Sequence, residues 1–104
     1  MKEKNLNEMF TMPRHMVFPG TFQEALLSAQ SKRKWLMVNV NDDTLFDSYA
    51  LVRDVWQNEV VQSMIAESVI LFCAFKNVKA GSEFMHFYNL NDNDLPYVAM
   101  LHPL

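Results

Sequence analysis

One run of seven apolar residues, Val69–Phe75, constrains the fold of this chain more than any other feature of its sequence. The run lies between the polar residues Ser68 and Lys76, and polar and apolar side chains do not alternate within it. A strand that is covered on one face only would alternate. The run therefore predicts a strand that is covered on both faces, as in a parallel sheet under helices.

Residues 35–40 are the predicted parallel partner of that strand, because they are mostly apolar and end in a polar loop over residues 41–43. A helix is predicted in front of them. Thr21 and Glu24 match the capping box, in which each side chain accepts a hydrogen bond from the other residue's backbone amide. Apolar residues at helical spacing follow, and basic residues, which suit the end of a helix, begin at Lys32.

Residues 44–56 lie between the two predicted strands and have apolar side chains at helical spacing. Asn58 is a residue type that often begins a helix, so we expect a break just before it and a second helix after it. Gly81 precedes a short predicted helix, and residues 95–101 form a last strand that Pro96 introduces. Helices that alternate with strands in this way are typical of an α/β fold.

Composition excludes several classes of function. The length of 104 residues fits a single domain. A net charge of −3 provides no basic excess for binding nucleic acid, and two glycines are too few for a glycine-rich phosphate loop. Cys73 is the only cysteine, so no internal disulfide forms. The N-terminus lacks the apolar region of a secretory signal, and we expect a reducing compartment, the cytoplasm or the nucleus.

Two clusters of charged residues have both a structural and a functional interpretation. Lys32, Arg33 and Lys34 are interpreted as an exposed helix end, and the functional alternative is contact with an anion, either a lipid carboxylate or an acidic partner. Four aspartates form a loose acidic cluster that we interpret as a solvated face or a helix N-terminus rather than an acid–base pair. They are Asp42, Asp43, Asp47 and Asp54.

Neither a nucleophile nor a metal site is predicted. Cys73 lies in the middle of an apolar strand, where burial raises the pKa of a thiol, so we interpret it as a small hydrophobic residue. The histidines at positions 15, 86 and 102 do not show the spacing of metal ligands. No cofactor is predicted.

Several segments have a distinctive sequence: FPGTFQEA at 18–25, KWLMVNV at 34–40, RDVWQNEVV at 53–61, FY at 87–88 and PYVAML at 96–101. Together they resemble the UAS domain, a thioredoxin-like module of UBX-domain adaptor proteins in the ubiquitin system. The resemblance extends from about Phe10 to Pro103, and RDVWQNEVV is a quite specific part of it. It implies a thioredoxin-like sheet with flanking helices.

In redox domains of this fold, a Cys-x-x-Cys pair begins the helix after the first core strand. The resemblance places that position at Leu45, Phe46, Asp47 and Ser48, where neither cysteine is present. Thiol–disulfide exchange needs an attacking thiol and a resolving thiol. The resemblance therefore implies a domain that is not an enzyme and has no catalytic residue.

Pro96 matches the proline that precedes a sheet strand in thioredoxin-like domains and is cis there, so the resemblance implies a cis Leu95–Pro96 bond. The surface beside this proline is the substrate groove of redox relatives. We hypothesise that Phe46 and Tyr97 form an apolar partner groove at this place.

The resemblance divides the chain into an N-terminal arm over residues 1–17 and a UAS domain over residues 18–104. A thioredoxin-like pattern continues with a further strand and helix, which the sequence as given does not contain, and it contains no UBX or UBA domain. Strand 97–101 would then be a sheet edge, and we expect self-association through it.

The resemblance implies a non-catalytic interaction domain that acts as an adaptor in ubiquitin-dependent protein degradation, with proteins of the ubiquitin system as partners. The alternative is a module that binds long-chain unsaturated fatty acids and then polymerises, as some UAS domains do. Lys32, Arg33 and Lys34 are then the candidate contacts for the fatty-acid carboxylate. Neither a nucleic-acid partner nor a membrane span is expected.

Overall fold

The structure is a computed structural model that describes residue 13 and residues 15–102. Most of the arm predicted over residues 1–17, and the last two residues of the domain predicted over 18–104, lie outside the described part. The elements in chain order are α1 (Phe22–Lys32), β1 (Trp35–Asn41), α2 (Phe46–Leu51), a π-helical turn (Val52–Trp56), α3 (Glu59–Ser68), β2 (Val69–Phe75), α4 (Lys79–Phe87), a 3₁₀ turn (Asp92–Asp94) and β3 (Tyr97–Leu101).

The three strands form one sheet in the order β2-β1-β3. β1 and β2 are parallel, with Asn39 opposite Cys73, which confirms the pairing that the apolar run predicted. β3 runs antiparallel to β1, with Val98 opposite Asn39. Val17 makes an isolated parallel bridge to Leu71, so the segment before α1 lies along the outer side of β2.

Successive side chains of a strand point to opposite faces of the sheet. Different helices cover the two faces here. Val38 belongs to a buried cluster that α1 and α4 complete with small and aromatic side chains, among them Ala25 and Phe84. A second cluster on the opposite face joins Trp56 of the π turn to Leu71 of β2. The sheet is therefore the middle layer of a three-layer α/β fold.

Both predicted helix caps are present. The Thr21 hydroxyl accepts a hydrogen bond from the Glu24 amide at 3.1 Å, and the Glu24 carboxylate accepts one from the Thr21 amide at 2.9 Å. The Asn58 side chain accepts hydrogen bonds from the amides of Val60 and Val61. These bonds satisfy donors that the first turn of a helix leaves free, which fixes where α1 and α3 begin.

Three boundaries differ from the sequence-based expectations. The helix expected after Gly81 begins at Lys79 and contains this glycine, where a Cβ atom would overlap the carbonyl oxygen of Phe75. The glycine thus serves the close approach of α4 to β2, not the start of the helix. The helix expected over residues 44–56 begins at Phe46 and ends in a π-helical turn, and the last strand begins only after Pro96, which has no N–H to donate.

Candidate functional site

The segment at positions 45–48 lies at the carboxyl end of β1, where the chain enters α2. Leu45 has an extended backbone and precedes the helix. Ser48 is fully buried, and its hydroxyl oxygen accepts a hydrogen bond from the Asp42 amide at 3.1 Å. The Phe46 side chain, in contrast, is 67% exposed. The segment that has the two reactive thiols in redox relatives thus presents an aromatic ring to solvent, from the position directly after the first thiol position.

Phe46 is held in a small stack on the outer surface of α2 and the π turn. The Arg53 guanidinium carbon lies 5.7 Å from the centre of the Phe46 ring and 5.5 Å from the centre of the Tyr49 ring. The two rings are 6.0 Å apart. Asp54 accepts two hydrogen bonds from Arg53, at 2.7 and 2.9 Å, and these bonds lower the pKa of Asp54 and raise the pKa of Arg53.

The Leu95–Pro96 peptide bond is cis. Leu45 packs against the same buried cluster as Leu95 and Tyr97, the two residues that flank this proline. The Tyr97 ring lies 6.1 Å from the ring of Phe84, on the face of the sheet that α1 and α4 cover. Within the described part of the chain, the Phe46 and Tyr97 rings make no contact with each other, and the partner groove that they were expected to form remains a prediction.

Asp42 is buried, which corrects the interpretation of this residue as part of a solvated face. One carboxylate oxygen accepts hydrogen bonds from the amide and the hydroxyl of Thr44, and the other lies 3.2 Å from the Lys76 ammonium. Lys76 also lies 3.1 Å from the Asp92 carboxylate. Burial alone would raise the pKa of Asp42, but the bonds from Thr44 and Lys76 outweigh it and lower the pKa. The cluster thus ties the ends of β1 and β2 to the 3₁₀ turn.

Asn39 is the centre of a buried polar cluster that was not predicted from the sequence. Its side-chain oxygen accepts hydrogen bonds from the indole nitrogen of Trp56 at 3.0 Å and from the side-chain nitrogen of Asn41 at 2.8 Å. Its side-chain nitrogen donates to the Tyr97 carbonyl at 3.1 Å. Asn39 and Asn41 are two residues apart in an apolar strand, so they share one face. That spacing was the signal available in the sequence.

Cys73 lies beside this cluster on β2, and its sulfur is 3.5 Å from the Asn39 side-chain oxygen. The thiol therefore has a polar neighbour as well as the apolar ones that the sequence predicted. Burial raises the pKa of Cys73 to about 12. A thiol with this pKa is almost entirely protonated at neutral pH, and the thiolate is the reactive form.

An open aromatic cleft of about 1050 Å³ lies elsewhere, between the start of α1 and α4. Phe22, Phe84, Phe87 and Tyr88 line it, together with Lys79. Lys32, Arg33 and Lys34 are not among its described lining residues, because they lie at the C-terminal end of α1 and the cleft lies at its start. The structure therefore does not bring these three cations to this cleft.

β3 is an edge strand within the described residues, since β1 is its only partner there. Val98 and Met100 are 44% and 45% exposed, and both lie on the face that carries Asn39. Trp35 of the neighbouring strand is also exposed on this face. Self-association through residues 97–101 remains a prediction.

Over residues 13 and 15–102, no group of three or more His, Cys, Asp or Glu side chains is arranged to hold a metal ion. None of the helices in this part of the chain has the length and apolar character that crossing a bilayer requires.

Comparison with known proteins gives one consistent family. A family model described as thioredoxin-like matches residues 17–103. The chain is 31% identical over 104 residues to UBX domain-containing protein 5 of Saccharomyces cerevisiae, covering 99% of this chain and 21% of the relative. It is 30% identical over 99 residues to plant UBX domain-containing protein 7 of Arabidopsis thaliana, covering 95% of this chain and 21% of the relative.

The chain spans about a fifth of the length of the curated relatives it matches. Among solved structures, the solution structure of a thioredoxin from Thermus thermophilus is similar with a TM-score of 0.65 and 16% identity, covering 77% of this chain and 60% of that chain. At this identity the likeness shows the fold alone, and it confirms the thioredoxin-like prediction. The resemblance to a domain of UBX-domain proteins is confirmed by the relatives, and the chain belongs to the thioredoxin-like family.

Proposed function

We propose that this chain is a non-catalytic protein-interaction domain of the UAS type and that it acts as an adaptor in ubiquitin-dependent protein degradation, in the cytoplasm or the nucleus. The exposed Phe46 ring at the start of α2 is the observation that supports this most strongly. Aromatic residues and arginine are enriched at protein–protein interfaces, and here Arg53 lies over the exposed ring. The similarity to UBX domain-containing proteins supports the ubiquitin system as the setting.

Thiol chemistry does not fit this arrangement. Leu45 and Ser48 cannot form the disulfide that a dithiol reductase needs. Cys73 lies on β2 with a pKa of about 12, so at pH 7 only on the order of one molecule in 100,000 has the thiolate. We therefore expect no turnover in an insulin-reduction assay. Turnover that survives replacement of Cys73 by serine would point to another reactive group and contradict the non-catalytic assignment.

Affinity capture with a matched pair of variants tests the interaction surface. Phe46→Asp places a charge on the proposed surface, and Phe87→Asp makes the same change at a ring that is 76% exposed on α4. We expect wild type and Phe87→Asp to capture the same ubiquitin-ligase components, and Phe46→Asp to lose them. If both variants retain every partner of the wild type, the surface is not the one proposed. Tyr97 is unsuitable for this test because it packs against the core.

Fatty-acid binding is a second candidate function, and the aromatic cleft between α1 and α4 favours it. Its described lining includes four Phe and Tyr rings and one lysine, Lys79, whose ammonium group could pair with a carboxylate. We expect oleate-induced oligomerisation to be weakened by Lys79→Glu. If reversing the charges of Lys32, Arg33 and Lys34 weakens it instead, the original assignment of the carboxylate contacts holds and the cleft is not the site.

Self-association of the 104-residue chain is proposed through the outer edge of β3. The strand has no charged residue, and charged residues are a common protection of edge strands against pairing. Sedimentation velocity over a concentration series is expected to show dimers or larger species, and Val98→Lys should shift them toward monomer. A wild-type chain that is monomeric at every concentration would contradict the proposal.

A further inference from the structure

We propose that the partner segment that binds at Phe46 is a basic peptide with one large apolar anchor residue. This inference rests on the proposed function, because it names the chemistry of the partner at the same surface. The apolar part follows from Phe46 itself, which exposes two thirds of its side chain beside Tyr49. An apolar side chain that covers this ring would remove apolar surface of both molecules from water.

The basic part follows from how charge is distributed along the chain. Residues 42–56 contain four aspartates and one arginine, so this segment alone has a net charge of −3, equal to that of the whole chain. The remaining residues are formally neutral in sum. Asp42 is buried, so the charges that the loop before α2, α2 and the π turn leave at least partly exposed are three aspartates and Arg53, a net charge of −2 close in sequence to the exposed ring.

Ion pairs within the fold neutralise only part of this charge. Arg53 is engaged by Asp54, and Lys76 lies within 3.2 Å of Asp42. Asp43 and Asp47 have no cation partner among the described residues, and they come three residues before Phe46 and directly after it. A lysine or arginine on either side of the partner's anchor residue would supply the missing charges.

The same arrangement disfavours an acidic partner. Arg53 is the only cation of residues 42–56, and its guanidinium already donates two hydrogen bonds to Asp54 while it lies over the two rings. An acidic or phosphorylated peptide would meet unpaired carboxylates and no free cation in this segment. Like charges brought together at an interface oppose binding, so charge selects the partner here.

Selection from a random library of 12-residue peptides displayed on phage tests the inference. Wild-type chain is the target, and peptides that also bind the Phe46→Asp variant are removed. We expect the enriched peptides to share a net positive charge and a large aromatic or aliphatic residue. Enrichment of neutral or acidic peptides that still require Phe46 would overturn this inference and leave the proposed function intact. If no peptide depends on Phe46, both fail.

Binding of a synthetic copy of the most enriched peptide then measures the electrostatic contribution to its affinity. Replacing Asp43 and Asp47 by asparagine should weaken its binding about fivefold or more at low salt, and the difference should shrink at high salt. The matched control replaces two exposed carboxylates outside this segment, Glu67 on α3 and Glu83 on α4, by glutamine, and binding should stay unchanged. If both pairs of substitutions weaken binding equally, the effect comes from the net charge of the chain, and a local contact between Asp43 or Asp47 and a basic residue is refuted.

Discussion

Replacing Asn39 by leucine would remove the side chain that connects β1, β3 and the π turn. Leucine is similar in size but has no polar atom. The Trp56 indole N–H, the Asn41 side chain and the Tyr97 carbonyl would each lose a hydrogen-bond partner. Trp56 and Asn41 are buried, so water could not replace these bonds without rearrangement of the core.

The loss can be given a magnitude. A buried polar group left without a partner costs about 1–3 kcal/mol. With the Trp56 and Asn41 groups both affected, we expect the free energy of unfolding to fall by about 3 kcal/mol or more. This is a large part of the stability of a small domain, which is about 5–15 kcal/mol in total.

Urea unfolding followed by far-UV circular dichroism measures this loss. Asn77→Leu is the matched control, because Asn77 is exposed, and we expect a change within about 0.5 kcal/mol. In a double-mutant cycle with Trp56→Phe, which removes the indole N–H, the coupling should be about 1–2 kcal/mol. A loss below about 1 kcal/mol for Asn39→Leu, or strictly additive effects in the cycle, would refute the role given to this cluster.

Three further results are expected. The wild-type chain should have a higher free energy of unfolding than Asp42→Asn, in full above about pH 4 and less as the pH falls further, because the pKa of Asp42 is lower in the folded than in the unfolded chain. Urea titrations at several pH values measure this difference. A difference that does not change with pH would contradict the pairing of Asp42 with Lys76. Gly81→Ala should lower the free energy of unfolding by about 1–3 kcal/mol, since the new methyl group would overlap the Phe75 carbonyl, and an unchanged melting temperature would show that α4 can shift. Cys73 should resist Ellman's reagent at pH 8 in the folded chain and react after unfolding in urea, and rapid reaction of the folded chain would contradict its raised pKa.

Much of the architecture could be predicted from the sequence because it depends on local patterns. The apolar run Val69–Phe75 indicated a parallel strand, and the capping residues Thr21 and Asn58 marked the starts of two helices. Each of these signals lies within a few consecutive residues, so it can be recognised without knowledge of the fold. The identity of the fold as thioredoxin-like came from the resemblance, not from periodicity.

The parts that were missed depend on contacts between distant residues. Asp42 looked exposed because acidic residues usually are, but Lys76, which follows another strand, reaches it and permits burial. The role of Asn39 requires Trp56, which is 17 residues away, and the carbonyl of Tyr97, which is 58 residues away. The place of Gly81 inside α4 follows from how closely the helix approaches β2. Such contacts become visible only when the elements have been packed together.

Photo-crosslinking from position 46 tests the central claim most directly. The photoreactive amino acid p-benzoylphenylalanine replaces Phe46 in one version of the chain and Phe87, which is also largely exposed, in another. The proteins that are cross-linked in cells are identified by mass spectrometry. The account predicts that proteins of the ubiquitin system are cross-linked from position 46 and not from position 87. Cross-links to such proteins from position 87 alone would contradict it.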